Sequence, residues 1–259
     1  MFASHRRDRI LELLQQDKQV LVKDLARMFQ VSEGTLRIDL RILEDEGLLE
    51  RTHGGAIPIK QQPAFAGDSR DPSRSQLNSE EKQAIGRKAA ELVHDGQCIL
   101  LDASSTVLEL AKGLTGHNYL TVVTNGLEAA TTLNRNPRNN VILIGGVLRV
   151  GSRTVEGVLG KDILSGIHAD LFFTSAEGLS VQEGMTDFSL HEAELKKLMA
   201  ANASRTVALV DHTKLGRRSI ASSIAFGEIH ALVTDDKADP GFLKQCQSTE
   251  VLIVDCKRR

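Results

Sequence analysis

The stretch LLDASSTVLELA, residues 100–111, sets an acid, Asp102, and three hydroxyls, Ser104, Ser105 and Thr106, between an apolar run and a helical one. The first N–H groups of a helix have no intrahelical partner and carry the positive end of its dipole. Hydroxyls gathered there equip the turn to hold an anion. A plain helix cap would use one of them in the same place.

Such a turn needs a strand to deliver it. From residue 80 onward, apolar runs alternate with amphipathic helical stretches: QCILLD, LTVVTN, NVILIGG, ADLFFTS, RTVALVD, IHALVTD and EVLIVD. Unbroken Val/Ile/Leu runs suit strands covered on both faces, so the pattern predicts an α/β domain with a mainly parallel sheet. Ligands of such sheets bind outside the carboxyl ends of the strands, where the polar residues ending each run converge.

The chain has 259 residues, 41% of them hydrophobic, enough for a real core, and its formal charge of −2 gives no global field that would draw nucleic acid or membrane. Cys98, Cys246 and Cys256 are far apart and odd in number, which fits no disulfide framework and no metal-ligand spacing. His168, His191, His212 and His230 likewise show no metal spacing. No metal and no cofactor is expected. No apolar run reaches the ~20 residues of a membrane span and the start of the chain is polar, so a cytoplasmic protein without membrane contact is expected.

The first 57 residues follow another plan. Ile10, Leu11, Leu13 and Leu14 mark one helix, Leu21, Leu25 and Met28–Phe29 a second, and Leu36, Leu40 and Leu43 a third. GLLERTHGGAI then reads as a short hairpin with a basic, glycine-rich tip. Three helices and a hairpin make a winged helix-turn-helix, whose third helix enters the major groove of DNA. Ser32 caps that helix, with Thr35, Arg37 and Arg41 in its first turns. Arg37 and Arg41 share a face and suit one base-edge contact, expected of Arg37, and one phosphate contact. Arg51 and His53 beside Gly54 and Gly55 form the wing tip. Nine Lys/Arg stand against ten Asp/Glu over residues 1–57, so the ordered pattern carries this reading and composition does not. The resulting organisation is a DNA-binding domain at 1–57, a Pro/Gly/Ser-rich linker at 58–79 and an α/β domain at 80–259, with Ser79 as the cap of its first helix.

The N-terminal segment resembles that of the DeoR family of bacterial sugar-metabolism repressors. The residues that carry the likeness are Val31, Ser32, Thr35, Leu36, Arg37, Asp39, Leu40, Leu43, Glu44, Gly47, Arg51, His53, Gly54, Gly55 and Ala56. The family has a second arginine where this chain has Ile38. The C-terminal domain resembles the family's effector domain, whose fold is similar to that of sugar-phosphate isomerases and CoA transferases. The resemblance implies a phosphate loop at Asp102, Ser104, Ser105 and Thr106. It further implies ligand contacts from Thr124, Asn125, Gly145, Gly146, Arg149, Glu192, Asp211 and Lys214. Ala176 and Glu177 depart from a more glycine-rich family version.

The reading that follows is a transcriptional regulator, a repressor of a carbohydrate catabolic operon, that binds double-stranded operator DNA and a phosphorylated sugar effector. Paired half-sites imply a homodimer or homotetramer. The alternative is a sugar-phosphate isomerase or deaminase with an appended DNA-binding domain, for which Asp102, Glu192 and Asp211 are candidate bases. A weaker third reading is a regulator whose second domain only oligomerises. The attached helix-turn-helix favours the sensor, because a sensor needs both parts.

Overall fold

The computed structural model describes residues 3–17, 19–45, 48–52, 54–57, 77–148, 153–247 and 249–256. The chain divides into two compact units, Met1–Ala66 and Gly67–Arg259. Most of the expected linker lies outside the described residues.

In the first unit the apolar positions at helical spacing form α1 (Ala3–Asp17), α2 (Val22–Phe29) and α3 (Glu33–Asp45). Their shared core is Ile10, Leu14, Leu25, Leu36, Leu40 and Leu43. A buried pair, Arg6 Nε to Asp39 Oδ2 at 2.6 Å, ties α1 to α3. Helix α2 ends at Gln30, whose left-handed backbone (φ 54) turns the chain into α3. The Oγ of Ser32 accepts from the Thr35 N–H at 3.1 Å, capping α3 as the sequence suggests.

The hairpin strands β2 (Glu50–Thr52) and β3 (Gly55–Ile57) are joined by a strand that sequence patterning missed, β1 (Val20–Leu21), in the order β1-β3-β2. Two residues between helices are too few to show a period. What admits β1 is Gly55, where a Cβ would lie 1.9 Å from the Val20 carbonyl oxygen. The wing is thereby fastened to the start of α2, and the Val22 N–H donates to the Gly54 carbonyl at 2.9 Å.

The second unit holds a seven-stranded parallel sheet. Its strands are β4 (Cys98–Leu101), β5 (Thr121–Thr124), β6 (Asn140–Leu143), β9 (Ala169–Thr174), β12 (Ala203–Leu209), β14 (Ala231–Asp235) and β15 (Glu250–Val254), in the order β15-β14-β12-β9-β4-β5-β6. Successive residues feed opposite faces. Ile99, Leu101, Phe173, Val207 and Val233 enter one core, while Leu100, Phe172, Ala208 and Leu232 enter the other. The first core is covered by α4 (Ser79–Ala90), α5 (Ser105–Gly113) and α6 (Leu127–Leu133). The second is covered by α7 (Lys161–Ser165), α8 (Leu190–Ala201) and α9 (Pro240–Leu243). This two-sided cover is the physical reason the strands read as unbroken apolar runs.

Two small antiparallel sheets were not legible as strands. One pairs β7 (Val147–Leu148) with β8 (Val155–Glu156). The other joins β10 (Gly178–Ser180), β11 (Gly184–Asp187) and β13 (Ala221–Ile224). Helix α4 is preceded by Asn78 in a left-handed conformation with no side-chain cap, so Ser79 is its first residue and not its cap. No described helix is long and apolar enough to cross a membrane.

Candidate nucleic-acid interface and ligand site

The buried residues of α3 are Leu36, Asp39, Leu40 and Leu43. At 100° per residue the side of the helix opposite them is occupied by Gly34, Ile38 and Arg41, with Arg37 on one flank. The Arg37 side chain lines a shallow groove together with Lys23 of α2 and Arg51 of the wing. Both arginines have acidic neighbours on α3: Arg37 lies 3.3 Å from Glu33, and Arg51 lies 3.5 Å from Glu44. These pairs are largely exposed, so they hold geometry more than they add stability. Arg41 is exposed and has no ion pair among the described residues. Thr35 is half-buried and spends its N–H and hydroxyl on Ser32. Gly54 is open, with space for a side chain, and His53 lies outside the described residues.

In the second unit the chain reverses its direction of travel across the sheet between β4 and β9, the switch point where ligands of open α/β sheets sit. Asp102 and Ser175 follow these two strands. Asp102 is buried, and its Oδ1 accepts the Ser104 N–H at 2.9 Å. Its Oδ2 accepts the Thr174 hydroxyl at 2.7 Å and the Ser175 N–H at 2.9 Å. The carboxylate is thus consumed in stitching the two strand ends together, and it shapes the loop that leads into α5. Of the three hydroxyls there, Ser104 caps the helix by accepting from the Val107 N–H at 3.3 Å, Thr106 is buried, and Ser105 is half-buried.

Beneath this loop lies a charged group that the sequence did not reveal. Lys196 of α8 is buried and donates to Asp187 Oδ1 at 2.5 Å and to the Ser175 carbonyl at 2.8 Å, with Glu192 Oε1 at 3.0 Å. Of the three ammonium hydrogens, two go to Asp187 and the Ser175 carbonyl, and Glu192 adds a close opposite charge. Asp102 Oδ2 at 3.5 Å adds only attraction at a distance. Burial works against the charge of Lys196, but the pull of Asp187, Glu192 and Asp102 outweighs it and raises its pKa. Burial pushes the Asp187 carboxyl up, with Lys196 opposing. Glu192 and Lys196 have the i,i+4 spacing of an ordinary solvated helix pair, but this lysine is buried. The signal was available, since Lys196 falls at helical spacing between the buried Ala193 and Met199.

The other strand ends carry further candidates. Thr124 accepts the Gly126 N–H, and Asn125 donates to the Val155 carbonyl at 3.0 Å. A Cβ at Gly126 would lie 3.1 Å from the Ala103 Cα, which places this turn against the Asp102 loop. After β6, Gly145 is open, whereas a Cβ at Gly146 would meet the Glu156 carbonyl oxygen at 2.4 Å. Gly146 is thus a packing position for β7 and β8. Arg149 lies outside the described residues. After β12, Asp211 accepts the Asn78 amide at 3.1 Å and the Thr213 N–H at 3.1 Å. Lys214 ends the one-turn helix that follows and is half-buried.

Among the described residues, buried side-chain atoms with no hydrogen-bond partner include Asn125 Oδ1, Ser175 Oγ, Asp187 Oδ2, Asp211 Oδ2 and Thr234 Oγ1. Asn125, Ser175 and Asp211 follow strands at the carboxyl edge, Thr234 is the last residue but one of β14, and Asp187 reaches the same edge from β11 through Lys196. Buried polar groups without partners are rare and cost about 1–3 kcal/mol each, which makes those gathered at this edge candidates for contact with a ligand. Acceptors such as the carboxylates and the Asn125 carbonyl suit ligand hydroxyls, while the start of α5 suits an anion. Among the described residues no group of His, Cys, Asp or Glu is arranged to hold a metal ion.

A winged helix-turn-helix joined to a parallel α/β domain with a polar carboxyl edge defines a ligand-responsive DNA-binding protein. A family model described as the DeoR-like helix-turn-helix domain matches residues 6–62, and one described as the DeoR C terminal sensor domain matches residues 77–236. The HTH-type transcriptional regulator GolR of Listeria innocua is 44% identical over 95% of this chain and 96% of its own. The HTH-type transcriptional regulator GlpR of Haloferax volcanii is 33% identical over 98% of each chain. The glycerol-3-phosphate regulon repressor of Escherichia coli is 30% identical over 91% of this chain and 92% of its own. Ribose 5-phosphate isomerase A from Methanocaldococcus jannaschii is 18% identical, with a TM-score of 0.40 over 53% of this chain and 55% of its own. The chain belongs to the DeoR family of transcriptional regulators.

Proposed function

We propose that this regulator represses a carbohydrate operon and that a small phosphorylated sugar, bound at the carboxyl edge of the parallel sheet, controls its hold on DNA. The observation that carries the proposal is the pairing of an anion-suited helix start, Ser104 to Thr106, with a set of buried unpartnered acceptors along the same edge. The first would take the phosphate, helped by Lys214. The second would take the sugar hydroxyls, at Asn125 and Asp211. Asp102 and Lys196 would set the loop's shape, since their bonds are already spent on the protein, while the part-exposed Glu192 keeps a carboxylate oxygen for the ligand.

On the DNA side, Arg41 at the crest of α3 would meet a base edge, while Arg37, Lys23 and Arg51 in the flanking groove would meet phosphates. This reverses the roles that sequence spacing suggested for the two arginines of α3. Two copies of the chain would read paired half-sites.

The test is a matched pair of ligands, a sugar and its phosphate, assayed by thermal shift, by operator occupancy and by product formation. Stabilisation and altered occupancy with the phosphate alone, without product, is the expected result. Equal binding of both ligands would remove the phosphate assignment, and turnover would favour an enzyme.

A further inference from the structure

The crest of α3 carries an isoleucine whose exposure nothing in the fold requires. Ile38 is 62% exposed, on the side of α3 turned away from that helix's own apolar face. It lies opposite Leu36, Leu40 and Leu43, on the line of Gly34 and Arg41 and one turn from each. A Cβ placed at Gly34 would meet nothing nearer than the Ser32 hydroxyl at 3.6 Å, so the helix surface before Ile38 is low and open. The cations of the groove, Lys23, Arg37 and Arg51, stand to one side of this line.

We propose that Ile38 is a specificity-determining residue that reads the C5-methyl group of a thymine in the major groove. The proposal rests on the DNA-binding role of α3. The major-groove edge of thymine is the one standard base edge that offers an apolar group, and an aliphatic side chain recognises it by burying both from water. A phosphate contact is closed to Ile38, which has neither charge nor donor. A hydrogen bond to a base edge is closed for the same reason. Gly34, lacking a side chain, lets the helix come close enough for a branched chain of this length to reach the methyl group, while Arg41 one turn on addresses the neighbouring base pair. The operator half-site therefore contains a thymine whose methyl group contributes to affinity, next to the position read by Arg41.

The full-length protein is used to select its sites from a random duplex pool, and each thymine of the selected half-site is then replaced singly by deoxyuridine, which differs only in that methyl group. Wild type is expected to lose about fourfold in affinity at one thymine per half-site, the equivalent of unburying one methyl group. Ile38→Ala is expected to bind the thymine and deoxyuridine duplexes equally, and Ile38→Val to keep most of the discrimination. Both variants sit on an exposed helix surface, and the thermal midpoint of each checks that folding is intact. If wild type is indifferent to every such replacement, or Ile38→Ala keeps the same sensitivity at the same thymine, the assignment is overturned. Loss of affinity in Ile38→Ala for all sequences alike, with DNA binding by α3 intact, overturns it as well.

Discussion

Lys196 Nζ lies 2.5 Å from Asp187 Oδ1, and both side chains are almost wholly shielded from water. The pair joins α8 to the small antiparallel sheet immediately under the Asp102 loop. Breaking a buried pair by removing one partner leaves an uncompensated charge, which costs about 3–5 kcal/mol. Lys196→Met is therefore expected to lower stability by about that much in urea denaturation, because it leaves Asp187, Asp102 and Glu192 without their shared cation. A loss below 1 kcal/mol would show that the group does not hold the loop.

Glu81 of α4 and Lys237 after β14 form a second, outer pair, Oε1 to Nζ at 2.5 Å. The hydrogen bond from Lys237 lowers the Glu81 pKa below 4.5, against the opposing effect of burial. A depressed carboxylate contributes stability that is present above its unfolded pKa and lost as pH falls through the folded one. Wild type is thus expected to lose stability faster than Glu81→Gln on acidification below about pH 4.5. Urea midpoints of both proteins across that range check it, and parallel curves would refute it.

The paired glycines after β6 are expected to behave unequally. Gly146→Ala drives a methyl group into the Glu156 carbonyl and should cost about 1–3 kcal/mol as overpacking does. Gly145→Ala meets no neighbour and should leave the midpoint unchanged. Equal effects on thermal denaturation would mean that the contact is not close.

On DNA, Arg41→Ala is expected to relax preference at one base position, at a cost of about 1–3 kcal/mol. Arg37→Ala and Arg51→Ala should weaken binding to all sequences and reduce the salt dependence, as the loss of phosphate contacts does. Titrations at two salt concentrations separate the two patterns.

In solution at least a dimer is expected, since a single recognition helix covers one half-site. Light scattering of the protein with DNA at micromolar concentration checks this, and a strict monomer would contradict it.

What the sequence showed clearly was whatever repeats. The strands of the parallel sheet are continuous apolar runs because both faces are covered, and the three helices of the first unit keep a period of 3.6. What escaped was short or local. Strand β1 has two residues, and β11 is the four-residue GMTD. Neither is long enough to show alternation. At the site, the residues Asp102 to Thr106 were visible because strand-to-helix turns concentrate hydroxyls. Asp187 was hidden by the unrecognised strand that delivers it. Lys196 was hidden by an i,i+4 glutamate that made it look like half of a surface pair, although its place on the apolar stripe of α8 pointed inward.

Asn78 sits just beyond the undescribed stretch of chain that follows the DNA-binding unit, and its side chain donates to Asp211 Oδ1 at 3.1 Å and to the Thr213 hydroxyl at 3.2 Å. The residue just before α4 is thus fastened to the very turn that carries one of the candidate sugar contacts. Linkage makes that turn symmetrical: whatever free energy a ligand at Asp211 spends on the Asn78 amide, a change at Asn78 returns on the ligand. The first turn of α4 would thus tune the sugar site from a residue that need not touch the sugar.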